Sequence, residues 1–379
     1  MNIESLTQSE IRNMSIECDK VGGFNLSQGI SNLNLNNKLV EGIDRAIKKG
    51  FNYYTQFDGD FELKKALSNK IVSYNKINLD NKKIIVTSGA TGAFYCACFA
   101  VLKPGDEVIV FEPYYGYHIK TIEAVGAKPT YITLKGKDFD IDFEELENLI
   151  TDKTRAILIC TPSNPCGKIF SEKDLLKLGL ICNKNNLIVF TDEIYEYFLY
   201  DNNKHVSPGS LEIFSENTIT ISGYSKTFSI TGWRIGYCIV PEKYFESIGH
   251  ISDLFYVCSP SLLQNAVAYG INEIKENFYY SLIKKFTYKR DLLCSVLSDI
   301  GLNPTIPKGS YYVMADASSV EGKTSKEKAM QILNHTKVAC VPGSEFYHSN
   351  EGENFVRFCF AKEDEILNQA CNNLLKLKK

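Results

Sequence analysis

The sequence predicts an α/β fold in which a mostly parallel sheet is sandwiched by helices and followed by a smaller α+β domain. From about residue 40 to 285, short β-branched runs alternate with longer amphipathic stretches, the pattern of parallel strands joined by crossover helices. Beyond residue 260 a long helical stretch replaces this alternation. We expect an N-terminal segment, 1–40, that packs with the small domain, a large domain over 41–285, and a small C-terminal domain over 286–379.

The strand candidates are β-branched runs that end in small or polar residues. In order they read KIIVTSG, DEVIVFEP, KPTYITL, TRAILICTP, NNLIVFTDE, NTITISGY and RIGYCIV, with helix candidates such as GAFYCACFAVL, FEELENLI and SEKDLLKLGLICNKN between them. The tail adds SYYVMAD, KVACVPG, FVRFCF and a final helix, EDEILNQACNNLLKLKK. In such sheets ligands collect at the carboxyl ends of the strands, so the residues that follow each run are the site candidates.

Composition excludes several function classes. The 379 residues carry a net charge of −3, so we expect no binding to nucleic acid or to an anionic membrane. No apolar run reaches the roughly 18 residues of a membrane span, and the polar start MNIESLTQSE does not look like a signal peptide. The twelve cysteines form no CxxC pair and the five histidines show no ligand spacing, which predicts reduced cysteines in a cytoplasmic protein without a metal.

Two strand ends suit a phosphate and a heteroaromatic ring. KIIV is followed by TSGATGAF, in which Ala90 and Thr91 open a helix. Helix N-termini bind phosphate, although a plain strand-to-helix turn explains this stretch equally well. The sequence lacks GxGxxG and GxxxxGK[ST], which disfavours a dinucleotide or nucleoside triphosphate. Asp192 follows the buried run LIVF, where it could cap a helix or keep a heteroaromatic nitrogen protonated.

Two other strand ends supply an amide and aromatic rings. Asn164 lies between two prolines in TPSNPCG. Turn formation explains these residues, but a rigid loop also aims a side-chain amide at a ligand oxygen. Tyr114 and Tyr115 follow VIVFEP, where they could stack on a planar ring or belong to the core.

A lysine and an arginine complete the set. Lys226 follows the run TITI among Ser, Gly and Thr, and Arg234 comes eight residues later. A lysine desolvated at a sheet edge has a lowered pKa and can act as a nucleophile or base, and an arginine can hold a phosphate bidentately. Together, the groups at these strand ends specify pyridoxal phosphate. That cofactor needs an amine, a phosphate site, a carboxylate at its ring nitrogen, a donor at its phenolic oxygen and a stacking ring.

These motifs resemble those of the class I/II aminotransferases, the fold-type-I pyridoxal-phosphate enzymes, and in particular the kynurenine, methionine, aromatic and aspartate aminotransferases. The resemblance runs nearly end to end, with SKTFSITGWRIGY as a highly specific block. The other matching motifs are NLSQG, YTQFDG, TSGATGAF, PGDEVIVFEPYYGY, TPSNPCGKIF, TDEIY, PKGSYYVM, VPGSEF and FVRFCFA.

The resemblance implies a role for each site residue. The implied catalytic residues are Lys226, which forms the Schiff base, Asp192 and Tyr195. The implied cofactor-binding residues are Ala90, Thr91, Tyr115, Asn164, Asp192, Tyr195, Ser225, Lys226, Arg234 and Tyr54, the last acting across the interface of a homodimer. The implied ligands of the substrate α-carboxylate are Arg357, Asn164 and the backbone of Gly29.

The sequence departs from the family pattern at two places. Gly223 stands where many relatives carry a serine or threonine that binds the phosphate, so Ser225 or Ser222 must substitute. The segment SQGISNLNLN lacks the Pro-Asp turn that relatives often show, and it borders the substrate side chain. This second departure bears on substrate identity.

The resemblance implies an aminotransferase that moves an amino group from an L-amino acid to a 2-oxo acid in a homodimer with shared active sites. Because we find no second arginine placed for a side-chain carboxylate, we expect a neutral donor that is aromatic or methionine- or glutamine-like. A β-lyase, a cyclopropane-forming synthase and an oxygen-dependent amino-acid oxidase or deaminase keep the same motifs and remain alternatives.

Overall fold

A seven-stranded sheet forms the centre of the structure, a computed structural model that describes residues 9–31 and 33–378. The spatial strand order is β2-β8-β7-β6-β5-β3-β4. These strands are β2 (Lys82–Ser88), β3 (Glu107–Glu112), β4 (Lys128–Thr133), β5 (Thr154–Cys160), β6 (Ile188–Asp192), β7 (Thr218–Gly223) and β8 (Ile235–Pro241). All seven predicted runs therefore form strands.

The sheet is mostly parallel. Strands β3 to β7 pair in parallel, and β8 is antiparallel to both β7 and β2. Two reversals make β2 parallel to β7, so β2 also ends at the edge where β5, β6 and β7 end. The predicted α/β class is confirmed.

Helices cover both faces of this sheet. Helices α4 (Gly89–Val101), α5 (Gly116–Ala124) and α8 (Glu242–Tyr256) bury their apolar residues on one face. On the opposite face, one group of helices consists of α6 (Phe143–Leu149) and α7 (Glu172–Lys184). Nearer to β2 and β8, the same face is covered by α2 (Asn37–Lys48), α3 (Phe61–Lys70) and α9 (Ser261–Glu273). Among the described helices, none has the length and apolar character needed to cross a membrane.

A four-stranded antiparallel sheet lies in the C-terminal part, in the order β12-β13-β10-β9. Its strands are β9 (Asn303–Thr305), β10 (Tyr312–Asp316), β12 (Val341–Pro342) and β13 (Phe355–Cys359). The helices around it are α10 (Glu276–Asp299), α11 (Ser325–Thr336) and α12 (Asp364–Leu374). The predicted long helical stretch is interrupted at residues 274–275, where α9 gives way to α10, and α11 was not among the predicted elements.

The N-terminal segment packs on this C-terminal part. Helix α1 (Glu10–Lys20) leads into β1 (Phe24–Asn25), which pairs in parallel with β11 (Val338–Ala339). Residues of α1, α10, α11 and α12 share one hydrophobic cluster. The domain bounds at residues 40 and 285 stay a prediction.

Candidate active site

A cavity of about 220 Å³ lies at the carboxyl ends of strands β5, β6 and β7. The sequence-predicted residues that line it are Gly29, Ala90, Thr91, Tyr115, Asn164, Asp192, Tyr195, Ser225, Lys226, Arg234 and Arg357. Tyr54 does not line this cavity, and about 80% of its surface is exposed. The structure therefore brings all the predicted site residues together except Tyr54.

Lys226 projects from the connection between β7 and β8. Its Nζ lies 3.4 Å from the carbonyl oxygen of Gly29, to which it donates. Burial, aided by the nearby positive charges of Arg234 and Arg357, lowers the pKa of Lys226 to about 8, although Cys359 and Asp192 act in the opposite direction. A sizeable fraction of this amine is therefore unprotonated, and so nucleophilic, near neutral pH.

Asp192 is the last residue of β6, and both of its carboxylate oxygens are engaged. Oδ2 lies 2.9 Å from Nε2 of the buried His118, and Oδ1 accepts from the backbone N–H of Ile194 at 3.2 Å. These contacts fix the carboxylate within the cavity wall. His118 was missed by the sequence reasoning. The signal was its position in the first turn of α5, three residues after Tyr115, which is the N-cap residue of that helix.

The first turn of α4 and Arg234 form the end of the cavity that suits an anion, and this end is called the anion-binding end below. The first N–H groups of a helix have no acceptor within the helix, and Ala90 and Thr91 lie in this turn. Arg234 donates from Nη2 to the Ser88 carbonyl at 3.3 Å. A Cβ on Gly89, whose φ is +72°, would lie 2.4 Å from Nη2 of Arg234. Glycine at 89 therefore permits the guanidinium to lie against the start of the helix.

The structure gives a physical reason for Gly223. It pairs across the sheet with Gly236, and a Cβ on Gly223 would lie 3.0 Å from the Gly236 Cα. Ser222 points away from the cavity, because its hydroxyl donates to Glu196 Oε1 at 2.8 Å. Ser225 lines the cavity. Of the two candidate substitutes for the missing serine, only Ser225 is placed to meet a phosphate.

Arg357, on β13, forms the opposite end of the cavity and is fully buried. Nη1 donates to Asn164 Oδ1 at 2.9 Å, and Nη2 donates to the Ser27 carbonyl at 2.6 Å. Its Nε has no hydrogen-bond partner among the described residues. A buried guanidinium with an unused donor suits a carboxylate ligand, since an unpaired buried donor is otherwise costly.

Aromatic side chains form the wall between the two arginines. The Tyr195 hydroxyl lies 3.0 Å from the Tyr312 hydroxyl, and burial raises the pKa of Tyr195 well above 10. The Tyr115 ring meets the His118 ring edge-on, at a centroid distance of 5.3 Å. Burial also raises the pKa of Tyr115. Both phenols therefore keep their protons at physiological pH and are available as hydrogen-bond donors.

Side chains from the C-terminal part hold the backbone of residues 28–30 over the cavity. Lys362 is buried and donates from Nζ to the carbonyls of Gln28 at 3.0 Å and Ile30 at 3.3 Å. The Tyr311 hydroxyl donates to the Gly29 carbonyl at 2.9 Å. Lys362 was missed by the sequence reasoning, because nothing in its local pattern distinguishes it from a surface lysine.

A second cluster of ionisable groups lies behind Asp192, formed by Glu193, Glu196 and His205. The Glu193 oxygens accept from Thr191, Ser207 and His205. The Glu196 oxygens accept from Lys70, Asn75 and Ser222. Because every carboxylate oxygen already has a donor and one donor is an ammonium, this cluster is a structural network that ties strand ends to α3.

The residues around the cavity fit pyridoxal phosphate. The anion-binding end suits its phosphate, and Lys226 offers an amine to its aldehyde. The carboxylate of Asp192 suits a protonated ring nitrogen, and Asn164 and Tyr195 are possible donors to the phenolic oxygen. The unused Nε of Arg357 leaves a place for the carboxylate of an amino acid beyond the cofactor.

Comparisons with known proteins agree with this chemistry. The family described as "Aminotransferase class I and II" matches residues 22–374. The kynurenine–oxoglutarate transaminase of Dictyostelium discoideum is 33% identical, over 95% of this chain and 92% of that protein. The aspartate aminotransferase of Pyrococcus abyssi is 32% identical, over 99% of this chain and 97% of that protein. The solved structure of N-succinyldiaminopimelate aminotransferase from Mycobacterium tuberculosis superimposes with a TM-score of 0.94 at 27% identity, covering 100% of this chain and 99% of that one.

Proposed function

Because this chain belongs to the class I and II aminotransferases, we propose that its cavity takes an amino group from a neutral L-amino acid and passes it to a 2-oxo acid. The predicted enzyme class, a pyridoxal-phosphate-dependent aminotransferase acting on amino acids and 2-oxo acids, is confirmed by the family match and the relatives. The preference for a neutral donor is the proposal.

We propose that the large-domain edge holds the cofactor. The amides of Ala90 and Thr91 and the side chains of Ser225 and Arg234 bind the phosphate. Tyr115 packs on the ring, Asp192 pairs with its nitrogen, and Asn164 and Tyr195 donate to its phenolic oxygen. When bound, the cofactor supplies an aldehyde that condenses with amines and a ring that accepts an electron pair.

Lys226 carries the proton transfers in this proposal. Its pKa of about 8 lets the amine accept a proton from the substrate α-carbon, because a base works best when its pKa lies near the working pH. With the cofactor bound, the resulting ammonium would be the acid that gives this proton to the cofactor's former aldehyde carbon. His118 holds the Asp192 carboxylate at 2.9 Å, which keeps that carboxylate aimed into the cavity. Arg357 binds the substrate α-carboxylate and so directs the α-hydrogen towards Lys226.

The proposal of a neutral amino donor rests on the residues that would surround the substrate side chain in the cavity. Beyond the proposed ligands of the cofactor and of the α-carboxylate, the cavity lining includes the apolar or aromatic residues Ile11, Ile30 and Tyr117 together with the neutral polar Gln28. Among the described lining residues, the lysine and arginine side chains are Lys226, Arg234 and Arg357. In this proposal each of them already serves the cofactor or the α-carboxylate, so none is left to pair with a side-chain carboxylate. A second substrate carboxylate would lose its water without gaining a partner, at a cost of several kcal/mol. An apolar side chain gains about 25 cal/mol for each Å² buried.

The two curated relatives point to different donors, so the donor must be tested directly. We expect kcat/KM for phenylalanine, tyrosine, methionine or glutamine to exceed that for aspartate by at least about 10-fold, equivalent to ~1.4 kcal/mol. Arg12→Gln is the matched control, because Arg12 lies in the adjoining cleft with Glu10 and Glu345. This variant should leave the ranking unchanged. A preference for aspartate that disappears in Arg12→Gln would refute the neutral-donor proposal and identify Arg12 as the side-chain ligand.

We also propose a homodimer with shared sites. Tyr53 and Tyr54 are 82% and 80% exposed. Phe57, in the same loop, packs on α8 through Phe245. At the end of α8, Leu254 is 80% exposed. These exposed apolar side chains belong to two elements that pack together, the loop with Tyr54 and α8, and a second copy of the chain that covered them would bring Tyr54 to the phosphate.

Mixed dimers test this arrangement. If Tyr54 acts in the neighbouring subunit, a Lys226→Ala chain paired with a Tyr54→Phe chain forms one site that holds both native residues. Mixing the two inactive or weakened proteins should then restore cofactor affinity and activity at one of the two sites of each mixed dimer. If Tyr54 acts within its own subunit, mixing restores neither. Sedimentation of the native chain should give a dimer at micromolar concentration.

Location and domain bounds are further proposals. All twelve cysteines are free thiols in the structure, which supports a reducing, cytoplasmic location. The pairing of β1 with β11 supports grouping residues 1–40 with the small domain of 286–379, apart from the large domain of 41–285.

A further inference from the structure

Tyr312 contacts three parts of the active site. It is the first residue of β10 and is buried. Its hydroxyl lies 3.0 Å from that of Tyr195, and its ring centroid lies 4.2 Å from the guanidinium carbon of Arg357. A Cβ on Gly29 would lie 1.8 Å from the Tyr312 hydroxyl, so this hydroxyl also lies directly against the N-terminal segment.

The direction of the Tyr195–Tyr312 hydrogen bond is fixed once the cofactor is bound. A phenol has one proton to donate and can also accept. If Tyr195 donates its proton to the phenolic oxygen of the cofactor, Tyr312 must be the donor in the bond between the two tyrosines. Burial raises the pKa of Tyr312 to about 12 although the charge of Arg357 lowers it, so this proton is present at physiological pH.

We propose that Tyr312 is a positioning residue that acts through Tyr195. By donating to the Tyr195 hydroxyl, it holds that hydroxyl in the orientation that points its proton at the cofactor, and it polarises the Tyr195 O–H bond. Donors in a hydrogen-bond chain strengthen one another. This inference rests on the proposed role of Tyr195. It adds a role for Tyr312, which the proposed cofactor site does not use.

The proposal predicts a spectroscopic effect. A hydrogen bond donated to the phenolic oxygen stabilises negative charge there, and this favours the less protonated form of the loaded site. Removing the Tyr312 hydroxyl weakens that bond. The pH midpoint of the visible absorbance change of the cofactor-loaded enzyme should therefore move upwards.

Tyr312→Phe tests this because it removes the hydroxyl and keeps the ring over Arg357. We expect the pH midpoint to rise by about half a unit, a roughly 3-fold gain in proton affinity. We also expect kcat to fall several-fold, with little change in the KM of the amino donor. Tyr200→Phe is the matched control. It removes a buried phenol that donates to the Ser310 carbonyl in the same hydrophobic cluster, and it should leave the midpoint unchanged.

Two further variants separate the possible failures. Tyr195→Phe alone should raise the midpoint, and adding Tyr312→Phe should then change nothing, because Tyr312 acts only through Tyr195. If Tyr195→Phe leaves the midpoint in place, the proposed role of Tyr195 is wrong. If Tyr195→Phe shifts it but Tyr312→Phe does not, only the role of Tyr312 is wrong. A Tyr312→Phe shift that persists in the double variant would mean a direct effect on the cofactor and would overturn the proposal. Should Tyr312→Phe not fold, Tyr312→Leu, which also removes the hydroxyl, must raise the midpoint.

Discussion

Arg234 and Arg357 lie at the two ends of one cavity and are built in opposite ways. Arg234 is exposed, and its guanidinium donates to the carbonyls of Thr231 and Ser88. Arg357 is fully buried, held by Asn164 and Ser27 and placed between the rings of Tyr312 and Phe346. One arginine is positioned by neighbouring turns at a sheet edge, and the other by three separate parts of the chain.

The difference matches the ligand that we propose for each end, a phosphate at Arg234 and a carboxylate at Arg357. Helix amides already supply much of the attraction for a phosphate at the Arg234 end, so that end tolerates an exposed cation. The Arg357 end must recognise a carboxylate by one guanidinium, and in a low-dielectric setting such a pair is strong only if its geometry is fixed. Burial and two permanent hydrogen bonds fix that geometry.

Lys226→Ala removes the amine between the two arginines and should have the largest effect on turnover. With both anion-binding ends intact, the protein should still bind the cofactor, but without a covalent bond and with turnover reduced by roughly 10⁴-fold or more. Borohydride reduction of the native loaded enzyme followed by peptide mapping should place the cofactor on Lys226. Recovery of the label on another lysine would contradict the site.

Arg357→Lys should have the next largest effect. A lysine cannot reproduce bidentate recognition of a carboxylate, and the hydrogen bonds to Asn164 and Ser27 would be lost together. We expect kcat/KM for the amino donor to fall about 100-fold, which corresponds to ~2.7 kcal/mol, with cofactor affinity unchanged. Stopped-flow measurement of the first half-reaction checks this. Equal loss of cofactor affinity would mean that the two ends are not independent.

Arg234→Lys is the matched substitution at the exposed end and should reduce binding less than Arg357→Lys does. The amides of the first turn of α4 remain, and an ammonium still attracts phosphate, so we expect cofactor affinity to fall about 10-fold, or ~1.4 kcal/mol. The KM for the amino donor at saturating cofactor should not change. Titration of cofactor-free protein gives the affinity. A loss as large as that of Arg357→Lys would remove the distinction between the two ends.

The smallest effect concerns the pKa of Lys226, to which both arginines contribute. Only the unprotonated amine reacts with an acylating reagent, so labelling of Lys226 in cofactor-free protein should rise with pH with a midpoint at about 8, whereas an ordinary lysine has its midpoint at about 10.4. Arg234→Gln removes a positive charge that lowers this pKa, so its midpoint should lie higher than that of the native protein. Mass spectrometry of the labelled peptide measures both. Labelling that still increases at pH 10 in the native protein would contradict the lowered pKa.

Local patterns predicted the sheet and most of the site. Each β-branched run became a strand, and the groups that follow KIIV, AILIC, LIVF and TITI meet at one edge because parallel strands end together. The long helical stretch was less well predicted, since its apolar spacing continues across residues 274–275, where the structure ends one helix and begins another. The choice between Ser222 and Ser225 also required the structure, because adjacent sequence positions do not reveal that Glu196 binds the first of them.

The sequence by itself determined the fold class, the cofactor and the set of residues proposed to lie closest to its reactive atoms, because these follow from short motifs with a fixed local geometry. The tertiary structure alone decided which distant groups support them: His118 at Asp192, Tyr312 at Tyr195, and Lys362 over the backbone of residues 28–30. In a strand or helix, periodicity fixes which face a side chain takes. The partner that it meets there depends on the packing of elements tens to hundreds of residues apart, for which the local sequence carries no signal.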